Sequence, residues 1–210
     1  MKIFLTGGSG KIGKVIKHTL EDKGIEVISP NSQELNLSGT FDLPPYPSVD
    51  GFIHCAGVNK LSSYKNLSYQ DMIHPYNVNT LSFIKICKQL KIKKKSNIIA
   101  IGSLYATQTK ENRTPYTMSK HALLGAVKTL ALEMASKKIK VNMISPGFVD
   151  TPLTRKNNSK ERINELNSSI PLGLTSPQEI AEVCKFFITQ NNSITGQNII
   201  VDGGYSLVGI

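Results

Sequence analysis

Acidic side chains are scarce in this chain: 15 Asp and Glu stand against 25 Lys and Arg, a net charge of +10. That balance permits nucleic acid, anionic membranes or phosphorylated ligands as partners and selects none of them. Cysteine is scarce as well. Cys55, Cys87 and Cys184 form no CxxC pair, have no histidine at metal spacing, and each lies among apolar residues. This argues against a disulfide scaffold or a metal site and for reduced, buried thiols. His18, His74 and His121 also lack metal-ligand spacing. No stretch approaches the ~20 apolar residues of a membrane span. After Lys2 only Ile3, Phe4 and Leu5 are apolar before Thr6-Gly7-Gly8 breaks the run, so no secretory signal is visible. A cytoplasmic protein is expected. Its 210 residues, 40% hydrophobic and 19% charged, suit one folded domain spanning 1–210.

Short β-rich runs alternate with helical patterns. Strands are expected at Ile3–Leu5, Ile25–Ile28, Asp50–Cys55, Asn97–Ile101, Val141–Ile144 and Asn198–Val201, with at most a short one at Glu34–Leu37. Apolar spacing predicts helices over Lys11–Lys23, about Asp71–Lys91, Tyr116–Ser136 and Pro177–Thr189. Such alternation implies an α/β fold, a doubly wound Rossmann-type domain with a mostly parallel sheet covered on both faces. Ligands then bind at the carboxyl ends of the strands. The stretch 30–50, with Pro44-Pro45-Tyr46-Pro47, has little helical periodicity and reads as a contraction of the fold.

Thr6-Gly7-Gly8-Ser9-Gly10-Lys11-Ile12-Gly13 follows the first strand and opens the first helix. Gly8, Gly10 and Gly13 form G-x-G-x-x-G in the strand–turn–helix context that gives this motif meaning. Glycines admit a pyrophosphate to the backbone, and the helix amino end holds its charge. The second strand ends Ile28-Ser29-Pro30-Asn31 without the acid that holds an NAD ribose, and Lys11 could meet a 2′-phosphate. The expected cofactor is NADP, with NAD as the alternative.

Tyr116 and Lys120 stand four apart, on one face of a helix. An ammonium beside a phenol favours the phenolate, which would lower the tyrosine pKa and make Tyr116 a usable proton donor and acceptor. The chain here resembles the short-chain dehydrogenase/reductase family over its whole length. The family's glycine loop matches Thr6–Gly13, its Y-x-x-x-K matches Tyr116 and Lys120, and its serine thirteen residues earlier matches Ser103. Its helix asparagine matches Asn79, its proline–glycine matches Pro146-Gly147 before Val149-Asp150-Thr151, and its D-G-G matches Asp202-Gly203-Gly204.

The resemblance implies a seven-stranded sheet in the order 3-2-1-4-5-6-7 and ketone–alcohol interconversion by hydride transfer. Ser103 would hold the carbonyl oxygen and Tyr116 would exchange its proton. Lys120 would bind the nicotinamide ribose, and Asn79 would support a water relay to Lys120. Gly7, Ser9, Gly10, Ile12 and Gly13 of the glycine loop, with Lys11, would bind the cofactor. Asn36, Leu37, Ala56 and Gly57 would flank the adenosine half, and Pro146, Gly147, Val149 and Thr151 the nicotinamide. A homodimer or homotetramer through the helices at Asp71–Lys91 and Tyr116–Ser136 is implied too.

The second half resembles 3-oxoacyl-carrier-protein reductases in Ile170-Pro171-Leu172-Gly173 and Ser176-Pro177-Gln178-Glu179. The T-G-x-x-G-x-x-G spacing and His54-Cys55-Ala56-Gly57 resemble the extended branch acting on nucleotide sugars, and Asn36 stands where an acid is expected. A small carbonyl or alcohol substrate, with neither nucleic acid nor membrane as partner, is therefore expected. A dinucleotide sensor without turnover is the alternative, and the intact Tyr/Lys pair counts against it.

Three further stretches bear on this reading. Lys91-Ile92-Lys93-Lys94-Lys95 reads as a solvated helix end. The polar segment from about 148 to 176, with Arg155, Lys156, Lys160 and Arg162, reads as a lid over the substrate. His54 reads as a packing or cofactor-wall residue.

Overall fold

The computed structural model describes residues 1–156 and 158–208; residue 157, inside the expected lid, and residues 209–210 lie outside that description. Six parallel strands form one sheet in the order β2-β1-β3-β4-β5-β6. They are β1 (Lys2–Thr6), β2 (Glu26–Ile28), β3 (Val49–His54), β4 (Ile92–Ile101), β5 (Lys140–Pro146) and β6 (Asn198–Val201). The helices are α1 (Lys11–Glu21), α2 (Tyr69–Tyr76), α3 (Ser82–Gln89), α4 (Thr114–Glu133), α5 (Pro152–Lys156), α6 (Lys160–Ser169) and α7 (Pro177–Thr189). The α/β parallel fold is as expected, and the strand order is the expected one without its outermost member.

The central strands are apolar throughout because both faces of the sheet are covered. Phe4, Phe52, Ile98, Ala100, Val141 and Met143 face α3 and α4. Their alternate neighbours Ile3, Leu5, Ile53, Ile99, Ile101 and Ile144 face α1 and α7.

Glu34–Leu37 forms no strand. Asn31 Oδ1 accepts from the amides of Gln33 and Glu34 at 2.8 and 3.2 Å, and Asn36 Oδ1 accepts from Ser38 N at 2.9 Å. These side chains take backbone donors that a strand would need. The segment instead works as a cover. Leu35 is buried, Tyr46 packs on Phe4 with ring centroids 4.8 Å apart, and Leu43 N donates to Gln89 Oε1 at 2.9 Å.

The basic run is a second departure. β4 starts at Ile92, and the register jumps from Val49↔Ile92 to Gly51↔Asn97, so Lys93–Lys95 belong to a bulged strand entry. Lys93 Nζ pairs with Asp50 Oδ1 at 2.8 Å, and Lys95 takes a φ of 66°.

The helix expected over Asp71–Lys91 is also interrupted. Pro75 lies in α2, and the chain then widens into a π turn at Asn77–Leu81 before α3. Such turns re-aim side chains relative to a regular helix. Here the turn buries Val78, Asn79 and Thr80.

After β5 the chain makes a helical excursion through α5 and α6. Its two ends meet where Asp150 N donates to Thr175 O at 3.0 Å and Thr175 N to Phe148 O at 3.1 Å. No helix of the described residues is long and apolar enough to cross a membrane.

Candidate active site

At the carboxyl ends of the strands, three adjoining cavities of about 350, 410 and 370 Å³ form a groove. The first lies between the contracted segment and the β1–α1 turn, against Ser9, Asn31, Asn36, Leu37 and Ala56. The second runs along the amino end of α1 to Tyr116 and Lys120, past Pro146, Gly147, Val149 and Thr151. The third opens beyond Ser103 and Tyr116 beneath the excursion. Gly7, Gly10 and Gly57 line both the first and second cavities, whereas Ser103, Tyr116 and Asn59 line both the second and third.

The turn into α1 is built on close backbone approach. Gly7 has a φ of +72°, and a Cβ there would stand 2.5 Å from Ala56 N. A Cβ on Gly13 would stand 2.1 Å from Gly7 O. Gly10 caps α1 without a side chain, and the first turn of α1 holds no acid. Backbone amides and the positive helix end are thus presented to the groove, which fits a dinucleotide pyrophosphate.

Lys11 departs from its expected place. It lines the second cavity, close enough to Asp150 to hold that carboxyl low after the larger effect of Arg155, and is not among the residues around Asn36. Its position suits the pyrophosphate side of the groove rather than an adenosine 2′-phosphate.

Ser103 follows β4, and its Oγ accepts from Tyr105 N at 3.3 Å. The Ser103 side chain lies close enough to Tyr116 to favour its ionised form. Burial raises the Tyr116 pKa above its usual 10, opposed by Ser103 and by the charge of Arg113. The lowering by Lys120 that the spacing suggests is absent. Lys120 Nζ lies 5.7 Å from the Tyr116 ring centroid and donates to Ile101 O at 2.8 Å. Burial brings Lys120 itself down to about 8. Tyr116 is therefore held as a neutral phenol.

Asn79 is not among the described residues lining these three cavities. Fully buried in the π turn, its Nδ2 donates to Ser119 Oγ at 2.8 Å and to Val58 O at 3.0 Å, and its Oδ1 accepts from Val58 N at 2.8 Å. It clamps the segment Gly57–Asn59 to α4 and acts through position. A Cβ on Gly57 would lie 3.5 Å from Asn79 Oδ1 and 3.7 Å from Lys120 Nζ, so both side chains border one spot in the groove.

His54 is a packing residue. Buried between Phe52 and Phe83, it is held at a pKa of about 3 by burial, then by the charge of Lys120. Its Nε2 lies 3.2 Å from Val78 O and its Nδ1 2.9 Å from Thr6 Oγ1. The neutral ring donates at Nε2 and accepts at Nδ1. Burial keeps Cys55 protonated, with a pKa of about 12. No cluster of His, Cys, Asp or Glu among the described residues could hold a metal.

The family described as enoyl-(acyl carrier protein) reductase matches residues 44–206. A 3-oxoacyl-[acyl-carrier-protein] reductase of Buchnera aphidicola is 35% identical over 95% of this chain and 84% of its own. A short chain dehydrogenase family protein of Francisella tularensis superposes with a TM-score of 0.84 at 26% identity, covering 98% of each chain. A 4-hydroxyisoleucine dehydrogenase complexed with NADH superposes with a TM-score of 0.81 at 26% identity, covering 99% of each. This chain belongs to the short-chain dehydrogenase/reductase family. It is an oxidoreductase acting on CH–OH groups.

Within this short-chain dehydrogenase/reductase, sequence reasoning missed Asn59, Lys110, Arg113, Asn158 and Tyr205, all on the third cavity. Only Arg113 had a local signal: it stands one helical turn before Tyr116. Of the four excursion cations singled out in the sequence, only Arg162 lines the cavity. Arg155 is spent in a bidentate pair with Asp150 at 2.7 and 2.8 Å.

Proposed function

We propose that this protein reduces a ketone to a secondary alcohol with NAD(P)H, using Ser103, Tyr116 and Lys120, with Asn79 as their positioning residue. The observation that supports it best is the Ser103–Tyr116 pair on the shared wall of the second and third cavities, with Lys120 behind it. A nicotinamide dinucleotide in the first two cavities would supply the hydride. Ser103 holds the carbonyl oxygen. The neutral Tyr116 phenol, its pKa kept up by burial, gives that oxygen a proton, so near pH 7 the free enzyme holds the protonation state that reduction needs. Lys120 binds the nicotinamide ribose and passes protons to Tyr116, with water drawn past Gly57 and Asn79.

Thr151 Oγ and the backbone at Val149 hold the carboxamide. The first cavity shows no carboxylate among its described lining residues, which leaves room for a 2′-phosphate and keeps NADP beside NAD as cofactor. The relatives are 3-oxoacyl-carrier-protein reductases, which favours a biosynthetic keto substrate such as a 3-oxoacyl group over a nucleotide sugar. Residues 148–176 close over it. Leu81, Ile84, Met118 and Leu132 are exposed on the α2–α3 and α4 helices, and through them the chain forms a homodimer or homotetramer.

Titration of NADPH and NADH fluorescence on wild type, Lys11→Ala and Tyr116→Phe tests the reading. Binding of at least one dinucleotide to all three is expected, weaker in Lys11→Ala for both. Tyr116→Phe should lose roughly 10²–10⁴-fold in kcat with dinucleotide affinity kept. A protein that binds neither dinucleotide is not this enzyme. One that binds but never turns over is the sensor.

A further inference from the structure

Resting on that keto-reductase reading but replacing its 3-oxoacyl substrate, we infer that the substrate is a small ketone carrying a carboxylate or phosphate group, and that Arg113 binds this group. Among its described lining residues the third cavity has three cations, Lys110, Arg113 and Arg162, and no Asp or Glu. The three differ in how their charge is met. Lys110 is exposed, and Arg162 pairs with Glu165 at 2.8 Å. Arg113 is 9% exposed and makes no ion pair among the described residues.

A guanidinium cannot shed its proton, and burying it unpaired is costly. Its site therefore calls for an anion from outside. The group is also held in place. Arg113 Cζ lies 5.6 Å over the Tyr105 ring, and that ring meets Tyr116 edge-on with centroids 6.0 Å apart. Arg113 is the N-cap of the 20-residue helix α4, whose first turn has no acid, so the helix end adds to the positive field. The fork is thus fixed on the same wall as the proton donor, and the anion and the ketone belong to one small molecule.

The rest of the cavity agrees with a polar occupant. Apart from aromatic rings carrying hydroxyls, Leu104, Pro146 and Phe148 are the only apolar side chains among the described lining residues. Asn59 Oδ1, on the border with the second cavity, is buried without a partner and calls for a donor, such as a hydroxyl or amide N–H of the dinucleotide. A long acyl chain would leave Arg113 unmet.

Two measurements on the full chain test this. Calorimetry of succinate and inorganic phosphate, with succinamide as the neutral control, should show one anion binding wild type. That affinity should fall at least tenfold in Arg113→Met and partly return in Arg113→Lys. Turnover is then compared within two pairs, acetoacetate against methyl acetoacetate and dihydroxyacetone phosphate against dihydroxyacetone. The anionic member of one pair should be preferred, and Arg113→Met should collapse the preference ratio. The pair that responds separates carboxylate from phosphate. Succinamide binding as well as the anions, or anion affinity indifferent to Arg113, overturns the assignment. Failure of the enzyme reading looks different: no dinucleotide binds and no ketone of either charge is reduced.

Discussion

Replacing Asn79 by alanine probes the link between fold and site most directly. The side chain is fully buried and makes three hydrogen bonds of 2.8–3.0 Å, two to the backbone of Val58 and one to Ser119 Oγ. At about 1 kcal/mol net for each, Asn79→Ala should cost about 3 kcal/mol of unfolding free energy. Ser119 keeps its own donation to Tyr116 O at 2.7 Å, so most of the loss falls on Val58. Val58 anchors Gly57 and Asn59, which line the groove. KM for the dinucleotide should therefore rise more than kcat falls. Urea denaturation gives the stability, and initial rates at varied NADPH or NADH give the split. Ser119→Ala, combined with Asn79→Ala in a double-mutant cycle, should show a coupling of about 1 kcal/mol. A loss below about 1 kcal/mol with unchanged dinucleotide KM would refute the clamp, and Asn79 would then act on the proton path alone.

Lys120 sets a pH signature. Its folded pKa of about 8 lies below the ordinary 10.5 because the ammonium is buried. Below pH 8 the folded state holds the desolvated charge. From pH 8 to 10.5 the unfolded chain still binds the proton that the folded chain has lost, so stability rises with pH across that window. Lys120→Met removes this contribution. Its stability relative to wild type should fall by about 3 kcal/mol between pH 8 and 10.5, as read by chemical denaturation at each pH, and a constant difference would refute the buried-charge account. Gly13→Ala tests the cradle. With a Cβ 2.1 Å from Gly7 O, the turn must open, so dinucleotide affinity should drop at least about tenfold while the far-ultraviolet circular dichroism is kept; unchanged affinity would show that the turn is not the phosphate site.

The glycine loop and the Ser103/Tyr116/Lys120 set are legible because their chemistry depends on short spacings, and a strand or helix converts spacing directly into geometry. The excess strand at Glu34–Leu37 was misread for the opposite reason. Apolar alternation there reflects Leu35 and Leu37 packing under an irregular cover, while Asn31 and Asn36 divert the backbone donors. The Lys91–Lys95 run resembled a helix end because its bulge depends on pairing with Asp50 across β3. Arg113 sits in the polar stretch Thr109–Thr114, and composition alone could not separate it from solvated neighbours. Its burial arises only when Tyr105, on the turn after β4, comes beneath it.

The shortage of acid in the composition gains its meaning at the groove. The described residues lining the three cavities include Lys11, Lys110, Arg113, Lys120 and Arg162 and no Asp or Glu. Elsewhere part of the positive charge is compensated locally, as where Lys2, Lys60, Lys85 and Lys93 reach Glu26, Asp71, Asp42 and Asp50. Arg162 is met by Glu165 and Lys11 lies near Asp150, so Arg113 and Lys120 are the buried groove cations without an ion pair among the described residues, and low-dielectric walls focus their positive potential into the cleft. A dinucleotide and an anionic ketone would both relieve that repulsion, so each should bind more tightly once salt is lowered, with the effect on Arg113 screened least because it is buried. Part of the net charge of +10 thus lies where the proposed anionic ligands would sit, whereas the densest basic run lies in a strand entry, and none of its lysines lines the three cavities.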